Sequence, residues 1–379
     1  MTKPFLSIII PTKNRSALVC RTIDSILNQD YEDYEVILVD NDDSDNTMRA
    51  VSKYSDEHFK YYRTGNLSMA DNWNFGYRQT RGEYICLIPD KEVFKPGALR
   101  ILADLLSQYN PDSLSWTWSE ILSDSDCGKL TGSGKVVSHS TLDLINMFLG
   151  MKHSDYSYLR IHLPRGLNSC IKRDLYNKII RKTGKISLEN TPDYTQAYQI
   201  LFNSEFTYTI DLSLVGRFNR DIKYGTGAQH DLGYINQAVN NMNSKNTDIS
   251  SINYQPLKIT NTETIVMEDF FRVSEMYDHS YSFKDVNHRN YFKTIYRNTL
   301  GRQSYVYPDN KEYFRELKHK IKFCMKKTYA KGLRKDLVVC KLFDLFYYPF
   351  HRCGVMTFKF INRHAPSFAA FMWIIGEKI

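Results

Sequence analysis

Three polar clusters stand directly behind apolar runs in this chain: Pro11-Thr12-Lys13-Asn14, Asp40-Asn41-Asp42 and Asp90-Lys91-Glu92. Charged and amide side chains just past the carboxyl end of a buried strand lie where open α/β sheets bind ligands. Taken alone, the third cluster suits a solvated turn between a strand and a helix equally well. A fourth candidate is Asp193. It follows Pro192 in a run that places Ala197, Ile200 and Leu201 on one helical face, so its carboxylate lies in the first turn of a helix. Trp116-Thr117-Trp118 adds two indoles within a strand-like run, which suit either stacking on a sugar face or packing in the core.

The elements that must position these residues are legible from hydrophobic period. Residues 5–10, 34–40 and 84–88 are apolar runs bounded by turn residues, as expected of strands buried on both faces of a parallel sheet. Residues 59–63 form a weaker strand, and 113–122 and 163–172 read as further strands. Helical patterns cover residues 18–27, 69–77 and 98–109. Strand, helix and strand within residues 5–40 make a βαβ unit, whose parallel strands carry their loops at one shared edge. The three polar clusters then converge on that edge, and the convergence favours a ligand site.

Composition sets the outer bounds. A chain of 379 residues, 42% hydrophobic and 24% charged, suits a folded protein of two domains. Its charge is uneven: residues 311–363 hold 14 Lys and Arg against 4 Asp and Glu, whereas residues 1–310 hold 35 against 37. The C-terminal region therefore asks for an anionic partner. Seven scattered cysteines without a CxxC pair fit reduced thiols in a cytosolic compartment. The N-terminus enters a strand pattern at once, so no secretory leader is expected, and no apolar run is long enough to span a bilayer.

The resemblance to a known family lies in six motifs, taken in order. They are Ser7-Ile8-Ile9-Ile10-Pro11-Thr12-Lys13-Asn14-Arg15, Ser25-Ile26-Leu27-Asn28-Gln29-Asp30-Tyr31, Val36-Ile37-Leu38-Val39-Asp40, Asp45-Asn46-Thr47, Gly82-Glu83-Tyr84-Ile85 and Pro96-Gly97-Ala98-Leu99. Together they resemble the family 2 glycosyltransferases. The resemblance implies the GT-A fold, a Rossmann-like α/β domain that binds a nucleotide-sugar. It also implies that Pro11, Thr12 and Asn14 lie beside the nucleotide, and that Asp40 accepts a hydrogen bond from the base, usually uracil. Arg81 is a candidate for the diphosphate. Family members carry an Asp-rich motif that binds Mn²⁺ or Mg²⁺ where this chain reads Asp90-Lys91-Glu92. Lysine is a poor ligand for a hard cation. Either Lys91 replaces the metal's charge at the diphosphate, or Asp90 and Glu92 form an Asp-x-Glu metal site; both readings stay open.

The same resemblance makes Asp193 the general base of an inverting transfer, with Glu189 as its alternate on the acceptor side. Trp116 is a second acceptor candidate. A late Gly-rich, polar loop around Arg217 and residues 225–231 offers His230 to the donor. The catalytic domain is expected over residues 1–244, followed by a basic, aromatic-rich helical region over 245–379. Basic and aromatic residues across 311–379 suit an anionic membrane surface, and equally a packed subdomain or an oligomer interface; no nucleic-acid module is recognised. The expected function is transfer of a sugar, from a UDP-sugar, to a lipid-linked or other glycan acceptor in surface polysaccharide synthesis, on the cytoplasmic face of the membrane. From another class, the chain suits a catalytically silent module that docks a synthase complex.

Overall fold

The computed structural model describes residues 3–121, 128–218, 254–256, 262–279, 281–305, 311–329 and 333–342. The expected loop residue His230 and the aromatic run after residue 342 lie outside the described residues.

The first half alternates strand and helix: β1 (Leu6–Thr12), α1 (Ser16–Leu27), β2 (Tyr34–Asp40), α2 (Asn46–Val51), β3 (Phe59–Arg63), α3 (Met69–Gln79), β4 (Tyr84–Leu87), β5 (Glu92–Phe94) and α4 (Ala98–Tyr109). Next come β6 (Ser113–Ile121), β7 (Val136–Ser140), α5 (Thr141–Gly150), α6 (His153–His162), β8 (Ser169–Lys172), α7 (Arg173–Thr183), α8 (Pro192–Leu201) and β9 (Phe206–Phe218). The expected strand over 163–172 is strand only in its second part; before it the chain makes a 3₁₀ turn, Gly166–Asn168. Four helices are described beyond this: α9 (Thr262–Met276), α10 (His288–Tyr305), α11 (Lys311–Thr328) and α12 (Leu333–Leu342). The described part of the C-terminal region is thus mainly helical.

All nine described strands form one mixed sheet in the order β3-β2-β1-β4-β8-β6-β9-β5, with β7 also on β9. Strands β1 to β4 are mutually parallel, the arrangement that βαβ units impose. Ile8 and Ile10 of β1 pack with Val19, Ile23 and Ile26 of α1 and Leu99 and Leu102 of α4. Ile9 faces the other way, onto Trp73 and Tyr77 of α3 and Ile179 of α7. Both faces of β1 are therefore core, which explains the unbroken apolar run. Each such side chain contributes about 1.5–3 kcal/mol on burial. Helix α3 lies especially close, because a Cβ on Gly76 would stand 2.6 Å from the Ile9 Cγ2.

Strand direction decides what shares an edge. β8 runs against β4, β6 runs against β8, and β9 runs with β6. β6 and β9 thus point the same way as β1, so Trp118 and Arg217 near their carboxyl ends reach the edge that carries Thr12, Asp40 and Asp90. The reversed strand β8 brings its amino end, preceded by Arg165, to the same place.

Two compact units divide the chain, and it crosses between them several times. One comprises Met1–Ile145, Leu159–Ile222 and Arg272–Ser280; the other comprises Asn146–Tyr158, Lys223–Phe271 and Tyr281–Ile379. Within the second unit, Asp336 of α12 is buried and accepts from Arg289 of α10 at 2.7 and 2.8 Å, and from the Tyr329 hydroxyl at 3.0 Å. Among the described residues no helix is long and apolar enough to cross a membrane.

Candidate active site

The loops after β1 and β2 are tied to each other. Asn14 takes the left-handed conformation, φ 56°, which asparagine tolerates better than most residues. That turn points its backbone N–H at Asp42, while its side-chain amide donates to Asp43 at 3.3 Å. Asp42 also accepts from Thr47 at 2.5 Å. Asp40 is buried, and its carboxylate accepts from the Tyr61 hydroxyl at 2.7 Å and the Asp42 amide at 2.9 Å. Burial pushes its pKa up, and those two hydrogen bonds pull against the shift. Pro11, half-buried, pairs with Val39 one step before this edge.

The third loop presents Asp90-Lys91-Glu92. Asp90 is 2% exposed; Oδ2 accepts from the Thr12 hydroxyl at 2.8 Å and Oδ1 from Arg15 at 2.7 Å. Burial raises its pKa, opposed first by the Arg15 charge. Glu92 is 0% exposed. It sits opposite Arg217 in the β5–β9 pairing and receives Arg217 Nε on Oε1 at 2.6 Å, with a second contact from Nη2. Its Oε2 is buried, with no hydrogen-bond partner among the described residues. Burial raises the Glu92 pKa as well, with Arg217 the principal opposing charge. Lys91 lies between them, partly exposed, and no described residue hydrogen-bonds or ion-pairs its ammonium. Burial and the neighbouring Arg217 charge hold its pKa below the usual lysine value.

Asp193 does lie in the first turn of a helix that opens on Pro192. Its side chain is 18% exposed and receives Arg165 Nη1 at 3.3 Å. Burial raises its pKa and Arg165 is the largest influence opposing that. Gly166 makes the approach possible: a Cβ there would stand 2.6 Å from Gln196 Oε1 of the same helix. Arg165 also covers the Tyr194 ring at 5.3 Å, and its charge is felt at Glu92. A second path joins the same groups. Arg165 donates to the Arg160 carbonyl at 3.0 Å, Arg160 lies over Trp118 at 5.3 Å, and Arg217 lies over Trp118 at 4.5 Å.

Several expected residues fall elsewhere. Arg81 stands at the amino end of β4, opposite the ligand edge, and binds Glu35 through its backbone N–H at 2.6 Å and Nε at 3.1 Å. It is corrected from a diphosphate contact to a partner of a buried carboxylate. Trp116 is 1% exposed and packs against Phe94, so it belongs to the core; the half-buried Trp118 is the indole at the site. Arg217 ends a strand rather than sitting in a loop. Glu189 accepts from Ser68, the N-cap of α3, at 2.5 Å. Arg15 and Arg165 join the site although neither stood out as a candidate; Arg15 closed the first motif, while Arg165 carried no local signal.

Residues 7–130 match the family model described as Glycosyl transferase family 2. This stretch is a family 2 glycosyltransferase domain. Over 103 residues the chain is 37% identical to the GalNAc(5)-diNAcBac-PP-undecaprenol beta-1,3-glucosyltransferase of Campylobacter jejuni, covering 26% of this chain and 33% of that protein. Over 112 residues it is 30% identical to the poly(ribitol-phosphate) beta-N-acetylglucosaminyltransferase TarP of Staphylococcus aureus, covering 28% and 34%. Among solved structures, S. aureus TarS in complex with UDP-GlcNAc aligns over 87% of this chain and 92% of that one, with 13% identity and a TM-score of 0.47. The match spans about a third of the length of each of these two curated relatives. The family 2 domain holds Thr12, Arg15, Asp40, Asp90, Lys91, Glu92 and Trp118. Arg165, Asp193 and Arg217 lie beyond the matched stretch, and the sheet topology joins them to it.

Proposed function

We propose that the chain is an inverting glycosyltransferase that moves a sugar from a UDP-sugar to a hydroxyl of a growing glycan. One observation carries this reading. Asp193, a partly exposed carboxylate with a raised pKa, is linked through Arg165 to the Lys91–Glu92–Arg217 cluster at the ligand edge of the family 2 domain. A base on one side of a donor and a cationic pocket on the other are the two ends that direct displacement requires.

In the proposed step Asp193 takes the proton of the acceptor hydroxyl as its oxygen attacks the anomeric carbon. The bond from that carbon to the diphosphate breaks, its electron pair leaves with UDP, and the configuration inverts. The cationic side chains beside the diphosphate oppose the charge that develops there. The loops of Pro11–Asn14 and Asp40–Asp42 form the nucleotide side. In this reading Trp118 serves the acceptor side, and Glu189 is held by Ser68.

Two relatives, one acting on an undecaprenol-linked glycan and one on a ribitol-phosphate polymer, support a surface-glycan acceptor. Helix α11 carries Lys318, Lys320, Lys322, Lys326 and Lys327, which supports docking on an anionic leaflet. Flotation on anionic vesicles, compared between the full chain and one ending near residue 310, tests the docking; equal flotation refutes it. UDP release with a panel of UDP-sugars and an acceptor extract tests the activity. Turnover with one donor, lost in Asp193→Asn, is expected. Equal background rates for both proteins with every donor refute it.

A further inference from the structure

The carboxylates expected to hold a divalent cation are already committed to protein cations. Asp90 gives one oxygen to Thr12 and the other to Arg15, and Glu92 gives Oε1 to two nitrogens of Arg217. Of these carboxylate oxygens, Glu92 Oε2 alone has no partner among the described residues, and it is buried. A hard divalent cation takes about six oxygen ligands. Among the described residues no group of three or more His, Cys, Asp or Glu side chains is placed to hold a metal. The surroundings also carry the wrong charge. Arg15, Lys91 and Arg217 all act electrostatically within this loop, and Arg165 acts on Glu92.

The arginines and the lysine differ in one decisive way. Arg15 and Arg217 are held in place by Asp90 and Glu92, whereas the Lys91 ammonium is partly exposed and bonded to no described residue. A lysine is a compact cation on a flexible stem with three donors, suited to a phosphate as a point charge. Fixed guanidinium groups around it supply positive potential that needs no rearrangement when an anion arrives. The paired carboxylates hold those groups in position.

We propose that this site binds the donor diphosphate without a divalent cation, with Lys91 as the direct diphosphate ligand and Arg15 and Arg217 as its fixed positive walls. This rests on the nucleotide-sugar reading above. It replaces the open choice at Asp90-Lys91-Glu92 with a division of labour: the carboxylates are struts, and the lysine is the contact.

Calorimetric titration of the full chain with UDP and with uridine, in excess EDTA and in Mn²⁺, tests it without requiring turnover. UDP affinity is expected to agree within about twofold between the two conditions. Lys91→Met should weaken UDP at least about tenfold, the scale of a lost charged hydrogen bond, and leave uridine unchanged; Lys91→Arg should recover part of the loss. UDP binding that needs Mn²⁺, or a Lys91→Met protein that binds UDP as well as wild type, overturns the inference and leaves the transferase reading standing. If UDP binds in neither condition, the UDP-donor reading fails and this inference fails with it. The comparison of EDTA with Mn²⁺ uses wild-type protein, so it decides the matter even if Lys91→Met does not fold.

Discussion

The carboxylates behind β4 and the carboxylate that opens α8 are handled in opposite ways. Asp90 and Glu92 are sealed from water and gripped by arginines at 2.7 and 2.6 Å. Asp193 remains 18% exposed and meets its arginine at 3.3 Å. A buried ion pair is a fixed piece of architecture, because separating it strands a charge in a poor solvent. A partly exposed carboxylate with a longer arginine contact, steadied by the backbone N–H groups of Asp193 and Tyr194, keeps access for another partner. The same residue types thus serve as struts on one side of the site and as the reactive group on the other.

Mutations sharpen that contrast, and the largest effect is expected at Asp193. Asp193→Asn should lower turnover by about 10²–10⁴-fold, the usual worth of a general base, while UDP binding stays within about twofold. A loss of UDP affinity matching the loss of rate would instead make Asp193 a strut like the others. Arg217→Met should destabilise the fold by about 3–5 kcal/mol in urea titration, because it leaves Glu92 buried and unpaired. The double variant Glu92→Met/Arg217→Met should recover most of that stability; no recovery would mean that the pair itself, rather than the stranded charge, supports the fold.

The two tryptophans offer a similar test. Trp116→Ala should lower stability by about 3–5 kcal/mol. Trp118→Ala should leave more of the fold intact and act on substrate KM. Equal stability losses at the two positions would erase the distinction.

The smallest effect expected is a shift of pH profile. Burial raises the Asp193 pKa and Arg165 holds it down. The base works when ionised, so kcat/KM falls as pH drops through that pKa. Removing the guanidinium in Arg165→Met raises the pKa further, so the acidic limb should move to higher pH. An unmoved limb would separate Arg165 from the base.

Much of this site was legible residue by residue. The apolar runs of β1, β2 and β4 declare strands buried on both faces, because no polar position interrupts them, and their loops must then share an edge. Pro192 followed by Asp193 declares the start of a helix. The strand β9 was not legible: its sequence from Phe206 to Phe218 mixes threonines, Asp211 and Ser213 among apolar residues, and its partner β6 lies about ninety residues earlier. Trp116 and Trp118 illustrate the limit well. Strict alternation puts residues two apart on the same face, but the β6–β9 pairing shifts register on both sides of Thr117, and one indole goes to the core and the other to the rim. Arg81 illustrates the converse. It precedes β4 in the sequence, so the rule that places ligands at the carboxyl ends of parallel strands already puts it at the opposite edge.

The sequence by itself determined the parallel strands, the helix that opens at Pro192 and the oddity of a lysine between two acids, because each depends on neighbours along the chain. Tertiary structure decided which cation meets which carboxylate. The pairs Arg15–Asp90, Arg165–Asp193 and Arg217–Glu92 lie 75, 28 and 125 residues apart. Such contacts exist only once β4 has paired beside β1, β8 has reversed beside β4 and β9 has closed on β5, bringing distant strand ends to a single edge.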